Sequence, residues 1–298
     1  MAQRVIAVYG KGGSGKSFLS SCISVRMVQR GLRVLQIGCD PKHDSTATLF
    51  RGVLLPTILE VWREFHERGD DDSLSAGDVI FERNGVFAAE LGGPETGRGC
   101  GGKGIVLGFD TLAKLGLFDW DFDVVLLDFL GDVVCGGFGM SFARSIAREI
   151  IIVAGNDQQS LYVANNVSRA VAHYSDEGSE SEVLGIILNK DDGTGVCQEF
   201  ANQIGVPILA NMPFVPEAVM MKDAFEVMEI PAMRAAIDRL IDNIDVTQSV
   251  VPQPLDFEEF YELFRQKARG KLRSASLEEL MNREVVLAEA NVKELVYA

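Results

Sequence analysis

GKGGSGKS, residues Gly10–Ser17, decides the fold. It stands between the apolar, β-branched run Arg4–Tyr9 and the stretch Ser17–Arg30, whose apolar spacing is helical and which stops at Gly31. A glycine-rich turn that leaves a strand and opens a helix satisfies the P-loop pattern in the context that pattern requires. Glycines let successive backbone N–H groups wrap a phosphate chain, and the helix amino end adds positive potential. Gly10, Lys11, Gly12, Gly13, Ser14 and Gly15 then form the wrap, with Phe18 just beyond it. Lys16 reaches the β and γ phosphates of ATP and Ser17 ligates Mg.

Outward from this loop, strand-like runs alternate with helical stretches. Arg4–Tyr9, Arg33–Cys39, Val86–Leu91, Asp123–Asp128, Glu149–Ala154, Val183–Asn189 and Pro207–Ala210 read as strands. Lys103–Leu115, stopped by Gly116, and Leu161–Tyr174, stopped before Gly178, read as helices. Strands separated by helices imply crossover connections. The expected fold is therefore α/β, a P-loop NTPase with a mostly parallel sheet and helices on both faces. After Pro213 the pattern turns helical, with Pro231–Ile244, Asp256–Ala268 and Ser276–Val296, and a Pro-containing stretch Val251–Leu255 precedes the last two. This predicts a P-loop ATPase domain over 1–250 and a helical extension over 251–298, packed on the domain or on a partner.

The 298 residues are 47% hydrophobic, enough for one large core. With 28 basic against 43 acidic residues, the formal net charge of −15 disfavours nonspecific binding to nucleic acid or an anionic membrane. The acidic clusters Asp70–Asp72 and Asp119, Asp121, Asp123 read as solvated loops. No basic leader followed by a long apolar segment is seen and no apolar run is long enough to span a bilayer, so a cytoplasmic protein without a transmembrane segment is expected. Five cysteines, an odd number without close pairs, argue against a disulfide framework.

Acidic residues follow two of the strands. Asp40 and Asp44 lie in CDPKHDST, and Asp128 and Asp132 lie in DFLGDVVCGG, both at strand carboxyl ends where α/β proteins place ligands. Carboxylates there can hold Mg through water or orient the attacking water. Either Asp40 or Asp132 could activate that water, and His43 reads as an exposed loop residue. Cys100 and Cys135 are each followed by paired glycines and helix-like sequence, a setting that favours thiolate. Cys22, Cys39 and Cys197 lie in core elements and read as packing. Two cysteines cannot complete a four-thiolate site, whereas a twofold dimer supplying Cys100 and Cys135 from each subunit can. From spacing alone, structural roles, zinc and a 4Fe-4S cluster all remain open.

Lys11 is additional to the ordinary P-loop, and its placement resembles the deviant P-loop ATPases, in which this lysine reaches across a homodimer to the partner's nucleotide. GKGGSGKS, GCDPKHDST, ELGGPETGRGCGGKG and DFLGDVVCGGFG, in that order, resemble the nitrogenase iron-protein family. The resemblance implies a homodimeric ATP-dependent reductase with one bridging 4Fe-4S cluster on Cys100 and Cys135, passing electrons to a separate catalytic partner. Within the family, GVFAAELGGPETGRGCGG, DWDFDVVLLDFLGDVVCGGFGM, NDQQSLYVANNV and ILNKDDGTG look most like the branch that serves chlorophyllide a reduction in bacteriochlorophyll synthesis. That branch implies a heteromeric chlorophyllide-binding partner that reduces a ring B double bond, and ferredoxin as electron donor. Asn189 matches an adenine-facing position.

Several departures limit what the resemblance carries over, and beyond Pro213 the segment FVPEAVMMKDAF fits the family poorly, so no further base contact is assigned there. Ser14 stands where an aliphatic residue is more familiar, and Lys103 stands where nitrogenase iron proteins carry arginine, which keeps the charge but loses the planar fork. Competing classes are a partition ATPase, which has no need of Cys100 and Cys135, and an iron–sulfur assembly carrier, which usually shows a close cysteine pair. Within the reductases, the runner-up is the electron donor of dark-operative protochlorophyllide reductase.

Overall fold

The runs read as strands form strands within one residue at each end, in a computed structural model that describes residues 3–93, 101–116, 119–131 and 146–268. The strands are β1 Arg4–Tyr9, β2 Val34–Cys39, β3 Phe81–Arg83, β4 Val86–Glu90, β5 Val124–Phe129, β6 Glu149–Ala154, β7 Glu182–Leu188 and β8 Ile208–Asn211. They form one sheet in the order β3-β4-β2-β5-β1-β6-β7-β8. Every neighbouring pair is parallel except β3–β4. β2 and β5 are buried along their whole length, as parallel strands covered on both faces require. The short edge strand β3 was not read from the sequence. It joins β4 through Asn84–Gly85, with φ of 50° and 85°, a turn chemistry that marks hairpins.

The described helices of more than five residues are α1 Lys16–Gln29, α2 Ile58–Arg68, α3 Gly101–Lys114, α4 Gln158–Asp176, α5 Val196–Ile204, α6 Pro231–Val246 and α7 Phe257–Ala268. Leu19, Cys22, Ile23 and Met27 of α1 are buried with Ile6, Val8, Val34 and Leu126 of the sheet and with Ile237, Leu240 and Ile241 of α6, which forms one core face. α4 packs on β6 and β7. It starts at Asp157, whose carboxylate accepts the Ser160 N–H at 3.0 Å and satisfies a donor that the first helical turn leaves free. α2 opens with a capping box, Thr57 and Glu60 each accepting from the other's backbone N–H.

The chain divides into two compact units, Met1–Leu255 and Asp256–Ala298, and α7 is the described part of the second. The stretch Val251–Leu255, read as a linker, is fastened to the first unit. Gln253 N–H donates to the Ile204 carbonyl at 2.9 Å, and Leu255 exchanges two 2.9 Å hydrogen bonds with the side chain of Asn165. The helix expected over Ser276–Val296 lies outside the described residues. Among the described residues no helix is long and apolar enough to cross a membrane.

Candidate functional site

β1 runs straight into the glycine loop. Gly10 has φ of 147°, and a Cβ on it would lie 2.2 Å from the Val153 carbonyl oxygen, so the loop leaves the sheet through a gap only glycine fits. A Cβ on Gly131, beyond β5, would lie 2.0 Å from the Gly10 carbonyl oxygen, so the two strand exits touch. Lys16 is buried at 8% exposure, and its ammonium donates to the Lys11 carbonyl at 3.3 Å. Burial pushes its pKa down, although Asp128 and Asp40 oppose the shift. Ser14 Oγ is buried without a partner. Glycine-rich backbone and a buried ammonium together make the kind of cradle that binds phosphate.

The carboxylates gather beside it. Asp128 of β5 is in register with Val8 of β1 on one side and Gly38 of β2 on the other. Its Oδ2 accepts from Ser45 Oγ at 2.5 Å, while Oδ1 is buried without a partner. Burial raises its pKa, against the Ser17 and Ser45 hydroxyls and the Lys16 charge that favour the ionised form. Asp40 is half-buried at the exit of β2 and accepts the Lys42 N–H at 2.9 Å, and Asp44 is exposed in the same loop. His43 is only half-buried rather than fully exposed, and sits at φ of 46° in the turn between them. Asp132, Cys100 and Cys135 lie outside the described residues.

On the far side of the loop, Asn189 Nδ2 donates to the Ser14 carbonyl at 2.7 Å and Lys190 Nζ to the Gly13 carbonyl at 2.6 Å. Lys11 forms an ion pair with Asp157 at 3.1 Å within its own chain. A cavity of about 230 Å³ opens beside Gly15 and Phe18, lined also by Asn189, Met212, Phe214 and Val219. Its walls are mostly apolar with a few polar groups, Asn189 among them, the usual chemistry of a small-molecule pocket.

A family model described as "4Fe-4S iron sulfur cluster binding proteins, NifH/frxC family" matches residues 4–269. The chain belongs to this family. A NifH/frxC-family chain is an ATP-dependent iron–sulfur oxidoreductase component, and its cofactors are MgATP and one 4Fe-4S cluster per dimer. Among relatives, the chain is 49% identical over 263 residues to the chlorophyllide reductase 35.5 kDa chain of Rhodobacter capsulatus, covering 88% of this chain and 78% of that one. It is 39% identical over 273 residues to a nitrogenase iron protein of Methanospirillum hungatei, covering 87% and 94%. Among solved structures, it is similar to the septum site-determining protein MinD of Pyrococcus horikoshii in complex with Mg-ADP. That match has a TM-score of 0.60 at 19% identity, covering 82% of this chain and 96% of the other, and it speaks for the P-loop ATPase fold.

The described residues of this NifH/frxC-family chain fit MgATP. A buried ammonium whose acceptor is a single carbonyl and a buried carboxylate oxygen without a partner are the two defects that a phosphate and its Mg²⁺ would repair. Among the described residues no three His, Cys, Asp or Glu side chains are grouped to hold a metal alone. Mg²⁺ usually takes one or two protein ligands and completes its shell with phosphates and water. Cys22, Cys39 and Cys197 are all buried. Burial raises each thiol, that of Cys197 to about 12, which keeps them protonated and out of cluster chemistry.

Sequence reasoning missed Glu90, Ser45, Thr46 and Lys190. Glu90 ends β4 at 0% exposure, and burial lifts its carboxyl to about 7, with Asp128 and Asp44 adding to the shift and two bonds from Thr46 opposing it. An acid whose folded pKa lies above its unfolded value of 4.5 carries no penalty below that value and a growing one as pH rises to 7. Replacing Glu90 by glutamine is therefore expected to stabilise the protein at pH 8 by about 1–3 kcal/mol, a shift of a few degrees in Tm, and to lose that gain by pH 4.5. Thermal melts of both proteins across this range check it. A pH-independent difference would mean that Glu90 is not the titrating group.

Proposed function

We propose that this chain is the electron-donating subunit of a chlorophyllide reductase. In this reading a homodimer holds one 4Fe-4S cluster on Cys100 and Cys135 of each subunit and, at the expense of ATP, passes electrons to a heteromeric catalytic partner. The partner binds chlorophyllide and reduces its ring B double bond, and ferredoxin in the cytoplasm resupplies the electrons. The observation that carries the reading is the 49% identity to a chlorophyllide reductase chain, against 39% for a nitrogenase iron protein over a similar length. Lys103, exposed in the first turn of α3 where nitrogenase iron proteins carry arginine, supports a different docking partner.

Within the subunit, the backbone of Gly10–Ser17 and the Lys16 ammonium bind the phosphates, and Ser17 holds Mg²⁺, which supplies charge neutralisation for phosphoryl transfer. Phe18 and Asn189 with Met212, Phe214 and Val219 seat the adenine, contacts that extend past Pro213. Lys11 leaves Asp157 in the closed dimer and reaches the partner's nucleotide, so the pair at 3.1 Å belongs to the open state. Asp40, Asp44, Asp128 and Asp132 orient water and sense the γ-phosphate. The short link from Asp132 to Cys135 passes the change of state to the cluster ligand, as a population shift between two dimer states requires.

Anaerobic reconstitution tests the subtype. The reduced chain and ATP are mixed in turn with the catalytic components of chlorophyllide, protochlorophyllide and nitrogen reduction, and the product is followed by pigment absorbance or ammonia. Turnover is expected with the chlorophyllide component. Turnover with the protochlorophyllide component alone would sink this assignment and leave the reductase class standing.

A further inference from the structure

Glu90, Gly38 and Asp128 are in register across the adjacent parallel strands β4, β2 and β5. Residues in register on parallel strands point to the same face, so two carboxylates rise on either side of a residue that has no side chain. The space over Gly38 is filled by Glu90, since a Cβ there would lie 1.8 Å from Glu90 Oε2. Glu90 Oε1 accepts from both the backbone N–H and the Oγ1 of Thr46, each at 2.7 Å. The preceding residue, Ser45, donates to Asp128. Adjacent residues of the loop after β2 are thus gripped by carboxylates from the strands on both sides of it. Gln36, buried below, also donates to the Ser45 carbonyl and hydroxyl at 3.3 Å and is itself held by Ser24.

Glu90 Oε2 has no partner although the residue is fully buried. A buried acid with an unpaired oxygen costs stability, and an apolar side chain of similar size would not carry that cost. Such a residue beside a phosphate site marks a place where stability has been given up for function.

We propose that Glu90 is a positioning residue for ATP hydrolysis: by holding Thr46 it sets Ser45 against Asp128 and fixes the loop that carries Asp40 and Asp44. The inference rests on the reading of Gly10–Ser17 as the ATP site. Glu90 acts through Thr46 rather than through the nucleotide, so its loss should change turnover far more than affinity. Two hydrogen bonds to a buried carboxyl oxygen, if needed only in the transition state, correspond to a loss of about 10-fold or more in kcat.

The test uses the cluster-loaded dimer with its catalytic component under anaerobic conditions, and reads steady-state ATP hydrolysis together with MgADP titration of the dimer alone. Glu90→Ala is expected to lower kcat by about 10-fold or more with KM and the MgADP affinity within about 3-fold of wild type, and Glu90→Gln, which keeps an acceptor, to recover much of the loss. Thr46→Val should lower kcat in the same way, Thr46→Ser should restore it, and Glu90→Ala with Thr46→Val should cost little more than either alone. If Glu90→Ala fails to fold, the Thr46 pair carries the test. Unchanged kcat in Glu90→Ala, KM rising in step with any loss, or Thr46→Ser no better than Thr46→Val would overturn the proposal. A wild-type dimer that fails to bind MgADP would instead bring down the nucleotide reading, and the proposal with it.

Discussion

Replacing Lys16 by methionine is expected to weaken MgATP binding about 100-fold or more while leaving the melting temperature unchanged or slightly raised, which separates the two things a buried lysine can do. Its ammonium is in a poor place for a charge. It is buried, desolvation holds its pKa down, and the hydrogen-bond acceptor it finds is the Lys11 carbonyl at 3.3 Å. Asp128 and Asp40 compensate in part, without reversing the shift. Methionine keeps most of the stem that packs in the loop and drops the charge, so folding loses little. Binding loses a charge-assisted contact to a phosphate in a site shielded from water, where truncating one partner costs about 2–5 kcal/mol. Calorimetric titration with MgADP and a thermal melt on the same preparation read both quantities. Affinity within 3-fold of wild type would mean that Lys16 is a core residue and that the loop binds phosphate through its backbone alone.

The parts of this molecule that were legible in advance are those set by neighbours in the chain. β1, the glycine loop and α1 are continuous in sequence, so β-branched residues, glycines and helical spacing place them together. Asp128 was legible for the same reason, as the acid near the end of the buried run Val124–Phe129. Glu90 carries the same signal, an acid ending an apolar strand, but its meaning comes from register. Only the pairing of β4 and β5 with β2 puts it over Gly38 and level with Asp128, and strand order cannot be read from any local window. The cavity at Phe18 is nonlocal in the same sense. The segment after β8 matches no nucleotide-binding motif, and it becomes a wall because β8 ends on the same side of the sheet as β1. Lys11 adds a third case: its pairing with Asp157 joins the exits of β1 and β6, which are adjacent in space and far apart in sequence.

Replacing Cys135 by serine is expected to remove essentially all iron and acid-labile sulfide from the dimer while MgADP still binds within about 3-fold of wild type. The size of the effect follows from symmetry. In a twofold dimer that shares one cluster, a single substitution deletes two of the four thiolates, and a serine hydroxyl is a poor replacement for either. None of the described thiols can take its place. Cys22, Cys39 and Cys197 are buried and raised by that burial, so they offer neither access nor thiolate. Nucleotide binding should persist, because Lys16 and Phe18 stand on α1, and Asn189 and Met212 directly follow β7 and β8, none of which contains Cys135. Cys197→Ser is the matched control, expected to keep its cluster and at most to lose a little stability from a buried packing site. Iron and sulfide analysis with electron paramagnetic resonance on both variants gives the answer. Full iron content in Cys135→Ser would require ligands other than a symmetric set of Cys100 and Cys135, and the shared-cluster arrangement would fall with it.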